Sequence, residues 1–181
     1  MAWQPGSDEV GDFTWPGFDS EVVVTGKVLE ILNQFQGFEP GPVKIVEDAN
    51  APKRTKRVRL PYTGPPLFEL LVTARISMDW QRSSAELENE CAECGAVRWE
   101  LSGVERWESH FDQDLKRLVR VKMDRVPGAG ICVNETDLGV VSIFRVVEFP
   151  GWVLCTDRVL EVVEEAGFSN VSFLEVGETF S

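Results

Sequence analysis

Histidine appears only once in this chain, at His110, and a solitary imidazole suits a structural or surface role better than an acid–base centre. No Gly-rich phosphate loop precedes a helix, no Gly-x-Ser-x-Gly elbow occurs, and no His-Glu-x-x-His helix is present. Carboxylates are plentiful, but nothing in their spacing sets one as acid and another as base. The sequence reads as non-enzymatic. No apolar run reaches the ~18 residues of a spanning helix, so no membrane crossing is expected. Met1-Ala2-Trp3-Gln4-Pro5-Gly6 has neither a basic segment nor an apolar stretch, so a cytoplasmic location without a signal peptide is expected. Four cysteines in such a setting argue against a disulfide scaffold. Low-complexity segments are absent too.

What is present is enough for a core. Hydrophobic residues make up 43% of 181, too many for a disordered tail. Six Trp and eleven Phe add large apolar bodies, some expected to face a partner. The chain is acidic, with 30 carboxylates against 18 bases and a net charge of −12. Such a field repels phosphate backbones and draws basic partners inward, although its simplest purpose is solubility. Its distribution is uneven. Nine acids lie between Glu86 and Asp114, against Arg98 and Arg106 alone. Lys53, Arg54, Lys56, Arg57 and Arg59 form the opposite cluster, which between Pro52 and Pro61 reads as a solvated loop or edge strand rather than a nucleic-acid patch.

The two ends of the chain resemble each other. Trp15-Pro16-Gly17, Val22-Val23-Val24-Thr25, Lys27-Val28-Leu29-Glu30 and Gly37-Phe38 are echoed by Phe149-Pro150-Gly151, Trp152-Val153-Leu154-Cys155-Thr156, Arg158-Val159-Leu160-Glu161 and Gly167-Phe168. Each copy reads as strand, helix, strand. Thr25 and Thr156 are expected to cap the helices through their hydroxyls, and Gly37 and Gly167 to end them in the left-handed conformation. The second strands are expected at Val43–Val46 and Val171–Val176. Val159, Leu160, Val162, Val163 and Ala166 share one broad helical face, the expected core side, and Asp157, Glu161, Glu164 and Glu165 the other. Between the copies, Leu67–Met78, Val97–Leu101, Leu118–Met123 and Ile131–Val133 read as strands. The expectation is an α+β fold over residues 1–181. It has a mixed, mostly antiparallel sheet, related units at 12–47 and 143–177, and a β insert at 67–134 carrying a degenerate zinc-ribbon-like knuckle.

That knuckle is Cys91-Ala92-Glu93-Cys94-Gly95. Thiolates two residues apart can share one Zn²⁺, and the glycine lets the backbone curl its N–H groups toward sulfur. A structural zinc takes four protein ligands, and the remaining candidates, Cys132, Cys155 and His110, form no second knuckle. Cys91 and Cys94 are therefore candidate metal ligands in what reads as a bare turn, and no cofactor is required. A redox pair would place the first cysteine at a helix N-terminus, whereas here a strand is expected to follow Gly95.

Cys91-x-x-Cys94-Gly95 is followed by Val104-Glu105-Arg106-Trp107, a Pro-Gly turn, Ile143-Phe144-Arg145, and Trp152 to Val159 leading to Phe173-Leu174-Glu175-Val176. That order resembles the C-terminal half of the double-CXXCG-motif proteins of myxobacteria, some of which are similar to immunity proteins of swarming-inhibition toxin systems. The resemblance covers roughly the last hundred residues, and only the second of the family's two knuckles is retained. It implies an immunity-type protein that binds and neutralises a cognate toxin. The chain's acidity adds that the toxin is basic. Glu86, Glu88, Glu90 and Glu93 are the expected docking surface, with 86, 88 and 90 on one face of an extended stretch, and Trp107 the aromatic anchor. The alternative is a zinc-knuckle adaptor touching nucleic acid through residues 53–59 and 116–125.

Overall fold

The structure, a computed structural model, describes residues 9–16, 21–46 and 60–181. The basic run Lys53 to Arg59 and Gly17 lie outside the described residues. In chain order come β1 (Phe13–Thr14), β2 (Val23–Thr25), α1 (Gly26–Leu32), β3 (Phe38–Pro42), β4 (Leu67–Val72) and β5 (Arg75–Ile76). Next are β6 (Ala85–Glu90), β7 (Val97–Leu101), β8 (Arg106–Asp112), β9 (Arg117–Met123), β10 (Ile131–Asn134) and α2 (Glu135–Leu138). The chain closes with β11 (Ile143–Val146), β12 (Phe149–Cys155), α3 (Asp157–Ala166) and β13 (Gly177–Phe180). Two units emerge. One holds the described residues of Met1–Arg75 with Val140–Val146 and Pro150–Ser172; the other holds Ile76–Gly139, Val147–Phe149 and Phe173–Ser181.

In the first unit the β-branched run Val22–Thr25 favours an extended backbone. It forms β2, inside a sheet of order β1–β2–β4–β3. Val23 and Val24 point to opposite faces and both are buried, so this strand is covered on two sides. Antiparallel β4 places Phe68 beside Val24, and β3 pairs along its far side. β3 contains Pro40 and Pro42, which cannot donate to a ladder; two residues apart on an edge strand, both can turn their missing N–H outward. That is why the strand expected at Val43–Val46 lies earlier, over residues prolines would have barred from a central strand. β4 stops at Val72, where Thr73 and Ala74 donate to the Gly37 carbonyl at 2.9 and 3.0 Å.

Helix α1 buries Val28, Leu29 and Leu32, and α3 buries Val159 and Val163. Arg158 of α3 lies 5.8 Å above the Phe35 ring that follows α1. Neither Thr25 nor Thr156 caps through its side chain. The Thr25 hydroxyl instead donates to Asp12 Oδ1 at 3.3 Å. Gly167 closes α3 in the left-handed conformation, as expected. Gly37 does not close α1, which ends at Leu32 with Asn33 in right-handed geometry. Its φ is +115°, and a Cβ there would lie 1.8 Å from the Ile143 carbonyl oxygen. The matched glycines thus serve different needs, one a helix end and the other a close backbone crossing. Near the chain's start, Asp12 accepts from the Ser169 N–H and hydroxyl at 3.0 and 2.9 Å, and Phe13 meets Phe168 edge-on.

The α+β reading with paired strand–helix–strand units is corrected. Among the described residues there are five small, mostly antiparallel sheets and three short helices. Residues 171–176 form no strand, because their backbone groups are taken singly. Glu175 exchanges bonds with Glu105 at 2.7 and 2.8 Å, and the Val176 carbonyl accepts from Ile131. Pairing begins only afterwards, where β13 runs parallel to β10.

The second unit has a smaller core of Ile76, Met78, Val104, Ile131, Cys132, Val133 and Leu138. Arg125, nearly enclosed, ties it together through Glu175 at 2.6 Å, Glu178 at 3.0 Å and the Ala129 carbonyl at 2.6 Å. Burial opposes its charge, but the two carboxylates prevail and raise its pKa. Among the described residues no helix is long and apolar enough to cross a membrane.

Candidate functional site

Two hairpins of the second unit stand as separate two-stranded sheets, β6–β7 and β8–β9. In the first, Glu86 faces Glu100, Leu87 faces Trp99, Asn89 faces Arg98 and Glu90 faces Val97. The register slips between Leu87 and Asn89, so Glu88 is an extra residue. A bulge of this kind interrupts the two-residue alternation. Glu86 lies with Asn89, Arg98 and Glu100 on one face. Glu90 passes to the other, with Leu87, Val97 and Trp99. Glu88 stays with Arg98, which it binds at 2.8 Å. The structure therefore brings Glu86 and Glu88 together and separates Glu90 from them. Glu93 sits in the hairpin turn, exposed.

The Cys91–Gly95 motif is that turn. Cys91 N–H donates to the Ala96 carbonyl and Gly95 N–H to the Cys91 carbonyl, both at 2.8 Å, with Gly95 at φ +68°. The nearby Cys94 and Glu93 N–H groups and the Cys94 side chain hold the Cys91 pKa below its usual value. Cys94 is exposed and Cys91 half-buried. The zinc-ribbon-like knuckle is corrected to the closing turn of a β-hairpin: among the described residues no three His, Cys, Asp or Glu side chains gather where a metal could be held. The other candidates are engaged elsewhere. Cys132 is buried and its thiol donates to the Arg82 carbonyl, while burial pushes the Cys155 thiol up to about 12. His110 stands exposed on β8.

The second ribbon pairs Trp107 with Lys122, Ser109 with Arg120 and Phe111 with Leu118. Alternation puts these six on one face. The Arg120 guanidinium lies 5.4 Å over the Trp107 ring, within cation–π range. Lys122 is paired with Glu105, whose carboxyl it holds below the usual range. The other face carries Glu108, Val119, Val121 and Met123, with Arg106 bound to Glu108. At the tip, Asp112 Oδ1 accepts from the Asp114 and Leu115 N–H groups at 2.9 and 2.8 Å.

Trp107, singled out as an anchor, is 46% exposed, but on a different hairpin from the glutamates. Its neighbours Phe111, Leu118 and Arg120 were not singled out from sequence. The alternation of residues 106–112 and 117–123 carried the signal. Charge in the two ribbons is opposed. β6–β7 holds Glu86, Glu88, Glu90, Glu93 and Glu100 against Arg98 alone, whereas β8–β9 holds five bases against three acids. Compared with known proteins, the chain matches no family model and no curated sequence.

Proposed function

We propose that this chain is a non-catalytic, cytoplasmic, immunity-type protein that binds and neutralises a cognate bacterial toxin. The observation that carries the reading is the β6–β7 ribbon. It is a two-stranded sheet with most side chains in solvent and an excess of carboxylates. A lone two-stranded ribbon is marginal in water unless something packs on it. A basic toxin docking on Glu86, Glu88 and Glu93 would relieve their mutual repulsion, and complementary fields would speed encounter. The immunity sense of that binding comes from the order of segments from Cys91 to Val176, which resembles the double-CXXCG-motif proteins.

The test is co-expression with the toxin-like product of the adjacent reading frame, followed by binding kinetics. Glu86→Lys/Glu88→Lys/Glu93→Lys should slow association at least about tenfold and flatten its salt dependence. Trp107→Ala should mainly speed dissociation. Unchanged association and intact protection in both variants would refute the reading.

A further inference from the structure

Among the described residues nothing covers the apolar face of β8–β9. Leu118 is 69% exposed and Phe111 51%, with Trp107 beside them. On β6–β7, Glu86 and Glu100 are exposed as well, so the Trp107 face of one molecule does not cover its own Glu86 face. Yet they are complementary. The Trp107 face holds Arg120 and Lys122, the latter bound to Glu105 just before β8, so Arg120 is its main outward charge; the Glu86 face holds three carboxylates around Arg98. Glu86 and Glu100 are direct cross-strand partners, and like charges so placed destabilise a ribbon. A cation lying across that pair removes the cost.

We infer that the protein self-associates through these faces, the β8–β9 face of each copy lying on the β6–β7 face of the other about a twofold axis. A twofold dimer repeats the contact and closes. Arg120 of one copy meets Glu86 and Glu100 of the partner copy, with the Lys122–Glu105 pair beside it, and Trp107 and Phe111 lie along the carboxylate stems. The edges do not compete for the same role, because the Glu88 bulge and flanking charges blunt β6 against strand addition. The net charge of −12 repels a nucleic acid from the same face, and it repels a second copy too, so the contact depends on the local pairing of Arg120 with Glu86 and Glu100. Size sets the strength. A seven-residue strand is about 24 Å long and a two-stranded face about 10 Å wide. Two such contacts bury on the order of 1,000 Å² in total, below the standard interface, so the dimer is weak and salt-sensitive. The acidic ribbon is then shared, and a toxin and a second copy exclude one another.

Sedimentation velocity on the full chain tests this without any toxin. The wild type should show a monomer–dimer equilibrium at micromolar concentrations that weakens as salt rises. Glu86→Lys/Glu100→Lys should weaken it at least about tenfold with an unchanged melting temperature, and Arg120→Glu/Lys122→Glu should weaken it as much with a lower one, because it breaks the Lys122–Glu105 pair. Arg120→Glu alone leaves the Lys122–Glu105 pair intact and should still weaken it. Mixing the two double variants should restore the dimer, since both contacts regain opposite charges. A wild type that stays monomeric at millimolar concentration overturns the inference, as does a mixture that fails to recombine. Binding of a short DNA duplex by a monomer, abolished in Arg120→Glu, would overturn it in favour of nucleic acid. None of these failures touches the toxin reading.

Discussion

β2 and β9 are both strands rich in β-branched or alternating apolar residues, and their fates are opposite. Every residue of β2 is buried, Val24 completely, between two neighbouring strands. β9 has one neighbour, and of its seven residues only Val119 is even half-buried. The difference is not propensity. β2 gains stability from packing on both faces, whereas β9 gains a single ladder of hydrogen bonds and leaves its apolar side chains in water.

The sharpest way to break that contrast is at Gly37. Gly37→Ala would drive a Cβ into the Ile143 carbonyl at a φ ill suited to any side chain, and should cost about 4 kcal/mol by denaturant unfolding. A loss under about 1 kcal/mol would show the crossing to be slack. A smaller effect is expected at Asp12. The Ser169 N–H, opposed by burial and helped by the Ser169 and Thr25 hydroxyls, holds its carboxyl below 3.8. With the folded pKa lower than the unfolded one, the stabilisation is complete above about pH 4 and fades as pH falls through the folded value. Asp12→Asn should cost about 1 kcal/mol at neutral pH and flatten the acid limb of a stability–pH profile. An unchanged acid limb would mean that Asp12 does not report on the fold. The smallest effect belongs to the ribbon. Leu118→Ser should change stability by less than about 0.5 kcal/mol in a dilute monomer, because no packing is lost. A larger loss would mean that β9 is already covered in solution.

How much of this was legible in the sequence follows from the same contrast. Period and residue type located β2, β7, β9 and β10, because those depend on local backbone preference. They placed Val28 and Val159 in the core for the same reason. They did not locate β3, since prolines read as breakers until an edge position is known. Gly37 was misread because a glycine's sequence neighbours say nothing of which distant carbonyl will approach it. The glutamate row failed on one residue, as alternation across 86, 88 and 90 holds only if no bulge intervenes. Exposure of Phe111 and Leu118 was beyond pattern altogether, although Trp107 was singled out by the acidic segment around it. A strand's sequence states which side is apolar, and only the rest of the fold states whether that side is covered.

The chain passes between its two units at Arg75–Ile76, Gly139–Val140, Val146–Val147, Phe149–Pro150 and Ser172–Phe173. Neither unit is thus a continuous gene segment, and no single truncation yields either one intact. Both ribbons, by contrast, fall inside the unbroken stretch Ile76–Gly139. One exchange of coding sequence could carry the whole pair, acidic and basic faces together, into a relative while the first unit's core stays as it was. The two ribbons would then be inherited as a single block, on a timetable separate from that of the scaffold.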